Sequence, residues 1–282
     1  MKSNRASLEE IRGFFAKRMA AVSKSRDPRL ERIFELVPRE AFLGPGPWQV
    51  WVRDRNYLET PSADPVYLYE NSLVALDGAK GINNGEPFLH AAWIGAVSPQ
   101  RGEMITHIGA GTGYYTAILS LLALPGGRVT AFELDAQLAE RARHNLRPFE
   151  SVEVVNADAT RASLPASDIV YVSAGVSAPP VGWLKALKPG GRLIFPWRPS
   201  EEIGLTLLVR AEAKGFSVEP LSPSWFIPCI GASREIVASR VPKTPAEARS
   251  ICSLWSTETT PPDETAIAVY PEVWFSSQPL ER

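Results

Sequence analysis

Three glycines spaced two residues apart, Gly109, Gly111 and Gly113, close the stretch Glu103–Gly113 (EMITHIGAGTG), and Tyr114-Tyr115-Thr116-Ala117-Ile118-Leu119 follows directly. Glycine lets a backbone turn left-handed and approach a bound molecule without a Cβ in the way, and a helix start offers amides to polar groups. The chemistry implied is capture of a polar ligand by main chain. Spacing narrows the ligand: a dinucleotide fingerprint, G-x-G-x-x-G, wants its third glycine where Tyr114 stands, so a nicotinamide oxidoreductase is the least favoured enzyme. Two carboxylates lie downstream. Glu133 ends Arg128-Val129-Thr130-Ala131-Phe132, 20 residues after Gly113, where an acid can accept both ribose hydroxyls. Asp158 follows Val152-Glu153-Val154-Val155-Asn156. Either acid alone reads as a solvated loop residue; in order behind the glycine turn they read as a site.

A second polar cluster, Asn83-Asn84-Gly85-Glu86-Pro87, precedes the glycine turn, with His90 shortly after it. An asparagine amide can donate two hydrogen bonds to a carboxylate, but asparagine before glycine is also an ordinary turn, and both readings stand. His90 reads as a packed helix histidine rather than a base. No Ser/His/Asp or Cys/His base arrangement is recognisable. Three histidines and two scattered cysteines offer no metal-ligand spacing, and no structural metal is expected.

The positioning elements follow from periodicity and punctuation. Ser7-Leu8-Glu9-Glu10 fits a capping box before a helix of about 16 residues. Asp27-Pro28 opens a second helix through Leu36, which Val37-Pro38 stops. Strands are expected at Met104–Ile108, Arg128–Glu133, Val152–Val155 and Asp168–Gly175, the last read as fully buried. Helices fall between them: one after Gly113, one from an Asp135 cap over Ala136 to Leu146, and one opened by Pro179-Pro180. Strand alternating with helix four times implies an α/β fold, a Rossmann-like doubly wound parallel sheet whose ligands sit at the strands' carboxyl ends. Beyond Trp197, Ile203–Arg210 and Phe216–Glu219 read as an antiparallel pair. The remainder reads as a helix at Pro245–Trp255, a polar link at Ser256–Glu264 and one strand at Ala266–Phe275.

At 282 residues, 45% hydrophobic, with 30 basic and 31 acidic residues, the chain suits a soluble globular protein with a sizeable core. The near-zero net charge gives no bulk attraction for nucleic acid or membrane. No apolar run approaches the ~18 residues of a membrane span, and the start lacks a signal-peptide core, so a reducing cytoplasm is expected, although Cys229 and Cys252 could pair. Three regions are expected: 1–80, N-terminal helices and an acceptor side; 81–232, a cofactor-binding core; and 233–282, a C-terminal extension that packs rather than covers a site. Oligomeric state is not legible.

The G-x-G-x-G turn resembles motif I of class I S-adenosyl-L-methionine methyltransferases, and the acids at 133 and 158 and the segment Leu187-Lys188-Pro189-Gly190-Gly191-Arg192-Leu193-Ile194-Phe195-Pro196 match later parts of that superfamily in order. Val37-Pro38-Arg39-Glu40-Ala41-Phe42 is similar to the V-P-R-E-x-F segment of protein L-isoaspartate O-methyltransferases. Tyr69-Glu70-Asn71 resembles that family's Y-x-D, and Trp225–Gly231 its closing F-V-P-L-x-G. The resemblance spans about residues 28 to 232 and implies S-adenosyl-L-methionine as cofactor. Gly109, Ala110, Gly111, Gly113 and Tyr114 would border its methionine part, Glu133 and Leu134 its ribose, Asp158 and Ala159 its adenine, with His107 and Ser173 beside them. His107 replaces the usual acid and is expected to be neutral when the cationic cofactor binds.

The family's T-I-S-x-P-x-x-x-A serine, which helps hold the acceptor carboxylate, is missing here. Asn83 or Gly85 takes its place according to where an insertion is set. The resemblance thus implies Asn83 and Asn84 as catalytic residues and Gly85, Pro87 and His90 as acceptor-binding ones, methyl passing to a carboxylate oxygen of a protein or peptide. The lost serine implies weak isoaspartyl repair. The alternatives are O-methylation of another small-molecule or peptide acceptor, and a regulatory module that binds the cofactor without catalysis.

Overall fold

A computed structural model describes residues 6–53, 56–233 and 236–280. The chain forms two compact units, one of residues 1–102, 110–129 and 135–154, the other of residues 103–109, 130–134 and 155–282.

The first unit is mainly helical. Its helices are α1 (Leu8–Ser23), α2 (Leu30–Leu36), α3 (Glu40–Leu43), α4 (Pro87–Val97), α5 (Tyr114–Ala123) and α6 (Ala136–Asn145), with short hairpins β1 (Gln49–Arg53) to β2 (Asn56–Glu59) and β3 (Ala75–Asp77) to β4 (Ile82–Asn83). Ser7 and Glu10 close the expected capping box at α1, Glu10 N lying 3.2 Å from Ser7 Oγ and Ser7 N 2.7 Å from Glu10 Oε2. Phe15, Ala16 and Met19 of α1 are buried. Its last turn meets α4 at Gly95, where a Cβ would overlap the carbonyl of Ser23; only glycine permits that approach. Asp27 does not cap α2 directly. The helix begins at Leu30, and Asp27 instead accepts from the Arg29 amide at 2.9 Å and from its guanidinium at 2.7 Å, because a carboxylate with an arginine two residues on closes its own turn first.

The second unit is built on a ten-stranded sheet and holds all of it except Arg128–Val129 of β6 and Val152–Val154 of β7. Its strands are β5 (Met104–Ile108), β6 (Arg128–Glu133), β7 (Val152–Asn156), β8 (Ser167–Val172), β9 (Leu187–Trp197), β10 (Leu205–Ala211), β11 (Phe216–Pro223), β12 (Ser253–Ser256), β13 (Ala266–Val269) and β14 (Val273–Ser276), in the order β13-β14-β12-β11-β10-β9-β8-β5-β6-β7. β5 pairs parallel to β8 and β8 to β9, the doubly wound arrangement expected from the sequence. The crossover into β9 carries α7 (Val181–Lys185), but residues 157–166 between β7 and β8 form no helix; Pro165 and the turn that Asp158 closes on Thr160 stand there instead.

The C-terminal region differs from expectation. α8 covers only Pro245–Arg249, and Leu254 and Trp255 lie in β12, paired with Phe275 and Trp274 of β14. Leu254 is fully buried, so sheet pairing overrode a helical periodicity. The single strand expected at Ala266–Phe275 is a hairpin: Pro271 cannot donate to a ladder, and Tyr270 N bonds to Val273 O at 2.9 Å across the turn. The antiparallel part of the sheet therefore runs from β10 through β14. The second unit's core joins Ile108, Val170, Val172, Phe195 and Trp197 to Leu254, Val273 and Phe275. Both cysteines are free, and no described helix is long and apolar enough to cross a membrane.

Candidate functional site

The chain order β5-β6-β7 runs to one side of β5 and β8-β9 to the other, so the order of strand addition reverses between the parallel strands β5 and β8, the position where open α/β sheets bind ligands. The glycine turn leaves β5 at this point. Gly109, Gly111 and Gly113 have φ of 73°, 56° and 96°, left-handed values that other residues adopt only with strain. Space excludes side chains as well: a Cβ at Gly109 would lie 3.4 Å from Ser173 O, one at Gly111 3.1 Å from Leu76 Cδ1, and one at Gly113 2.6 Å from Leu146 Cδ1. α5 starts with no side-chain cap, leaving its first amides to other acceptors. Asn145, at the end of α6, holds the turn by donating to Thr112 O at 3.0 Å. The ring of Tyr114 is buried against Phe42 and Tyr115, so the backbone is what this residue brings to the turn. Ala110 lies buried within it.

In the second unit the strand tips carry the expected acids. Glu133 ends β6 and is buried, while Leu134 beyond it is exposed. Asn156, at the end of β7, donates to Glu133 O at 2.9 Å and Leu134 O at 3.0 Å, fixing the backbone that carries the acid. The sequence reading passed over Asn156; an asparagine at a strand end one position beyond the last apolar residue was its signal. Asp158 closes a turn, its Oδ1 accepting from Thr160 N at 2.9 Å and Thr160 Oγ1 at 2.7 Å, with Arg161 Nε 3.5 Å from Oδ2. Ala159 is buried and its carbonyl accepts from Trp183 Nε1 at 2.9 Å. His107 lies buried in β5, its Nε2 3.0 Å from Ser173 Oγ and its ring edge-on to Tyr171. Burial pushes its pKa down to about 3, so the imidazole is neutral at pH 7 and adds no positive charge beside the turn.

The polar cluster of the first unit resolves into distinct roles. Gly85 has φ 75° and a Cβ there would overlap His90 Nε2, so no side chain can stand at this position. Asn83 Oδ1 accepts from Gly85 N at 3.0 Å, an asparagine turn. Asn84 is tied to Val74 twice, its amide N donating to Val74 O at 3.0 Å and its Oδ1 accepting from Val74 N at 2.9 Å. That second bond orients the side-chain amide and leaves Nδ2, which is buried, with no partner among the described residues. His90 is buried in α4 and stacked on Tyr115 at 3.8 Å, the packed histidine of the sequence reading.

Pro87 starts α4, and Asn71 caps it. Asn71 Oδ1 accepts from Phe88 N at 2.8 Å, while its Nδ2 donates to Glu86 Oε1 at 2.6 Å. Glu86 explains why asparagine stands where the resemblance leads one to expect aspartate: a second carboxylate there would face the first. Arg39, fully buried, donates to the carbonyls of Leu68, Glu70 and Ser72 and so anchors the Asn71 loop. Among the described residues no cluster of His, Cys, Asp and Glu is placed to hold a metal.

This geometry agrees with comparisons to known proteins. The family model described as protein-L-isoaspartate(D-aspartate) O-methyltransferase matches residues 53–234. A protein-L-isoaspartate O-methyltransferase of Rhodopseudomonas palustris is 31% identical over 220 residues, covering 76% of this chain and 91% of the relative. A solved protein-L-isoaspartate O-methyltransferase aligns over 95% of this chain and 87% of its own at TM-score 0.67 and 20% identity. A second solved structure, from Plasmodium falciparum and in complex with S-adenosyl-L-homocysteine, aligns over 77% of this chain and 97% of its own at TM-score 0.61 and 15% identity. The two structural likenesses establish the class I methyltransferase fold. With a family match that takes in the Asn83–His90 cluster, the glycine turn and both acids, the chain belongs to the protein-L-isoaspartate O-methyltransferase family.

Proposed function

We propose that the chain transfers a methyl group from S-adenosyl-L-methionine to a carboxylate oxygen of an isoaspartyl residue in a protein or peptide. The observation that carries this reading is the family match over residues 53–234. The residues suit the cofactor: three left-handed glycines admit a ligand against bare backbone, Glu133 is a buried acid at the tip of β6, and His107 is neutral. Gly109, Ala110, Gly111, Gly113 and the Tyr114 amide are assigned to its amino-acid part, Glu133 and Leu134 to ribose, Asp158 and Ala159 to adenine, and Ser173 to the β8 side. When bound, the cofactor supplies a methyl group activated by a sulfonium.

The acceptor needs no base, because a carboxylate is already ionised at neutral pH. The protein's work is then to place it and strip its water. Asn84 Nδ2 is assigned to the acceptor oxygen: its own oxygen is held by Val74, and its buried N–H has no other partner among the described residues. The sequence led us to expect weak repair because the serine donor is missing. Asn84 supplies a donor in the same segment, so turnover on an isoaspartyl peptide is expected. Asn83 keeps a turn-forming role and Pro87 and His90 shape the cluster. The test is incubation with methyl-labelled S-adenosyl-L-methionine and paired aspartyl and isoaspartyl peptides. Label should enter only the isoaspartyl peptide and leave as methanol in mild alkali, as a carboxyl ester does; alkali-stable label would refute carboxylate methylation.

A further inference from the structure

Glu86 stands in the middle of the acceptor segment Asn83–His90, and none of the assignments above uses its charge. It takes the cap position of α4 in extended conformation, φ −79° and ψ 122°, but its side chain caps no amide there. Asn71 caps α4 instead, its Oδ1 accepting from Phe88 N at 2.8 Å while its Nδ2 donates to Glu86 Oε1 at 2.6 Å. One oxygen of the carboxylate therefore orients an amide. Oε2 accepts no hydrogen bond among the described residues, and Glu86 is only partly buried, which leaves this oxygen open. Nor does a cation answer it, since among the described residues Glu86 forms no ion pair. Arg18 approaches the same stretch but is engaged elsewhere, its guanidinium 4.8 Å over the ring of Phe88 and 4.0 Å from the Glu70 carboxylate. Arg18 against Glu70 and Glu86 leaves one negative charge in excess. All of these residues belong to the first unit.

We propose that Glu86 sets the sequence context of the acceptor: it pairs with a lysine or arginine side chain within two residues of the methylated one, so the favoured substrate is an isoaspartyl peptide with a basic neighbour. The assignment rests on the acceptor reading above. Glu86 follows Asn84 by two residues, a span of at most about 7 Å along the chain, and Gly85 between them admits no side chain. An acceptor carboxylate held by this segment thus meets a second negative charge, and like charges this close repel. The N-terminus of α4 offsets about half a unit charge. A cation carried by the acceptor supplies the rest and finds Oε2 open. Charge, rather than shape, is what Glu86 adds. Glu86→Gln would still offer Oε1 to Asn71 Nδ2 and keep the cap of α4, so the charge can be removed with the local fold left standing.

The experiment measures kcat/KM on isoaspartyl peptides that carry lysine, glutamine or glutamate at each of the two positions on either side of the isoaspartyl residue. At one position or more the wild type is expected to favour lysine over glutamine about fivefold at low salt, the strength of a partly exposed ion pair, with glutamate the poorest. At about 0.5 M salt that ratio should fall toward 1, because screening then acts within a few ångströms. Glu86→Gln should bring the ratio to about 1 at low salt, whereas the thermal midpoint, which a purely structural role would govern, should move by a few degrees at most. Glu70→Gln, at a side chain 68% exposed, should keep the preference, and it decides the matter if Glu86→Gln does not fold. A wild-type ratio near 1 at every position, a ratio that survives in Glu86→Gln, or one lost in Glu70→Gln overturns the role of Glu86 and leaves the methyltransferase reading intact. Methylation of none of the peptides refutes the acceptor reading and the role of Glu86 with it.

Discussion

Asn84 and Glu133 carry the two halves of the proposed chemistry, and each can be tested without rebuilding its surroundings. Asn84→Asp keeps an oxygen for Val74 N but replaces the unpaired N–H with an acceptor, so kcat/KM on an isoaspartyl peptide should fall about 10²- to 10³-fold, and the urea midpoint should fall as well, since a carboxylate oxygen would stand buried without a donor. Asn84→Ser should recover part of the loss. Gly85→Ser should not serve as a repair, since φ of 75° and the place of His90 Nε2 exclude any side chain there. Glu133→Ala should weaken S-adenosyl-L-methionine binding by about 1.5–3 kcal/mol through loss of charge-assisted hydrogen bonds; calorimetry showing unchanged affinity would remove the acid from the cofactor site. His107 ties pH to stability. Its folded pKa of about 3 lies below its ordinary 6.5, so only the unfolded chain takes up a proton between those values. The contribution is whole above pH 6.5 and is lost as pH falls, at roughly 1.4 kcal/mol per unit. Urea unfolding at pH 7 and pH 5 should show that slope, flattened in His107→Gln.

Helix α4 links the first unit's packing to the acceptor segment, because its start is set by Asn71 and Pro87 and its middle is set by Gly95. Glycine in a helix interior ordinarily costs stability relative to alanine, yet here the missing Cβ is what admits the Ser23 carbonyl. Gly95→Ala is therefore expected to destabilise by about 1–3 kcal/mol or more, as overpacking does, instead of stabilising. The urea midpoint checks this, and an unchanged or raised midpoint would mean the two helices can separate freely. At the same scale the sequence was legible wherever a local signal sufficed. The box at Ser7-Glu10, the Asp135 cap of α6, whose Oδ1 takes Gln137 N at 2.9 Å, and the buried strand β8 all rest on neighbours along the chain. α8 was misread because Leu254 and Trp255 answer to strands β11 and β14, which no local window contains.

Over the molecule, residues 236–280 continue the main sheet and share its core. Phe275 packs on Trp197 at 5.0 Å, and Leu254 and Val273 join the same buried cluster. A chain ending near Ser233 would expose β11 and that apolar face, so it should be insoluble or lose cooperative unfolding; a soluble truncation with a normal thermal midpoint would show the extension to be dispensable. The amino-acid sequence by itself determined the order of strands and helices from β5 to β11, the glycine turn and the two acids behind it, because periodicity, caps and glycine spacing are local. Only the tertiary structure decided that Gly85 cannot stand in for the family serine, that Asn84 presents a buried N–H while Asn83 closes a turn, and that Asn71 answers Glu86. Each of these depends on a partner outside its own turn of chain, Val74 for Asn84 and Asn71 for Glu86, and such pairings leave no periodic trace in the sequence.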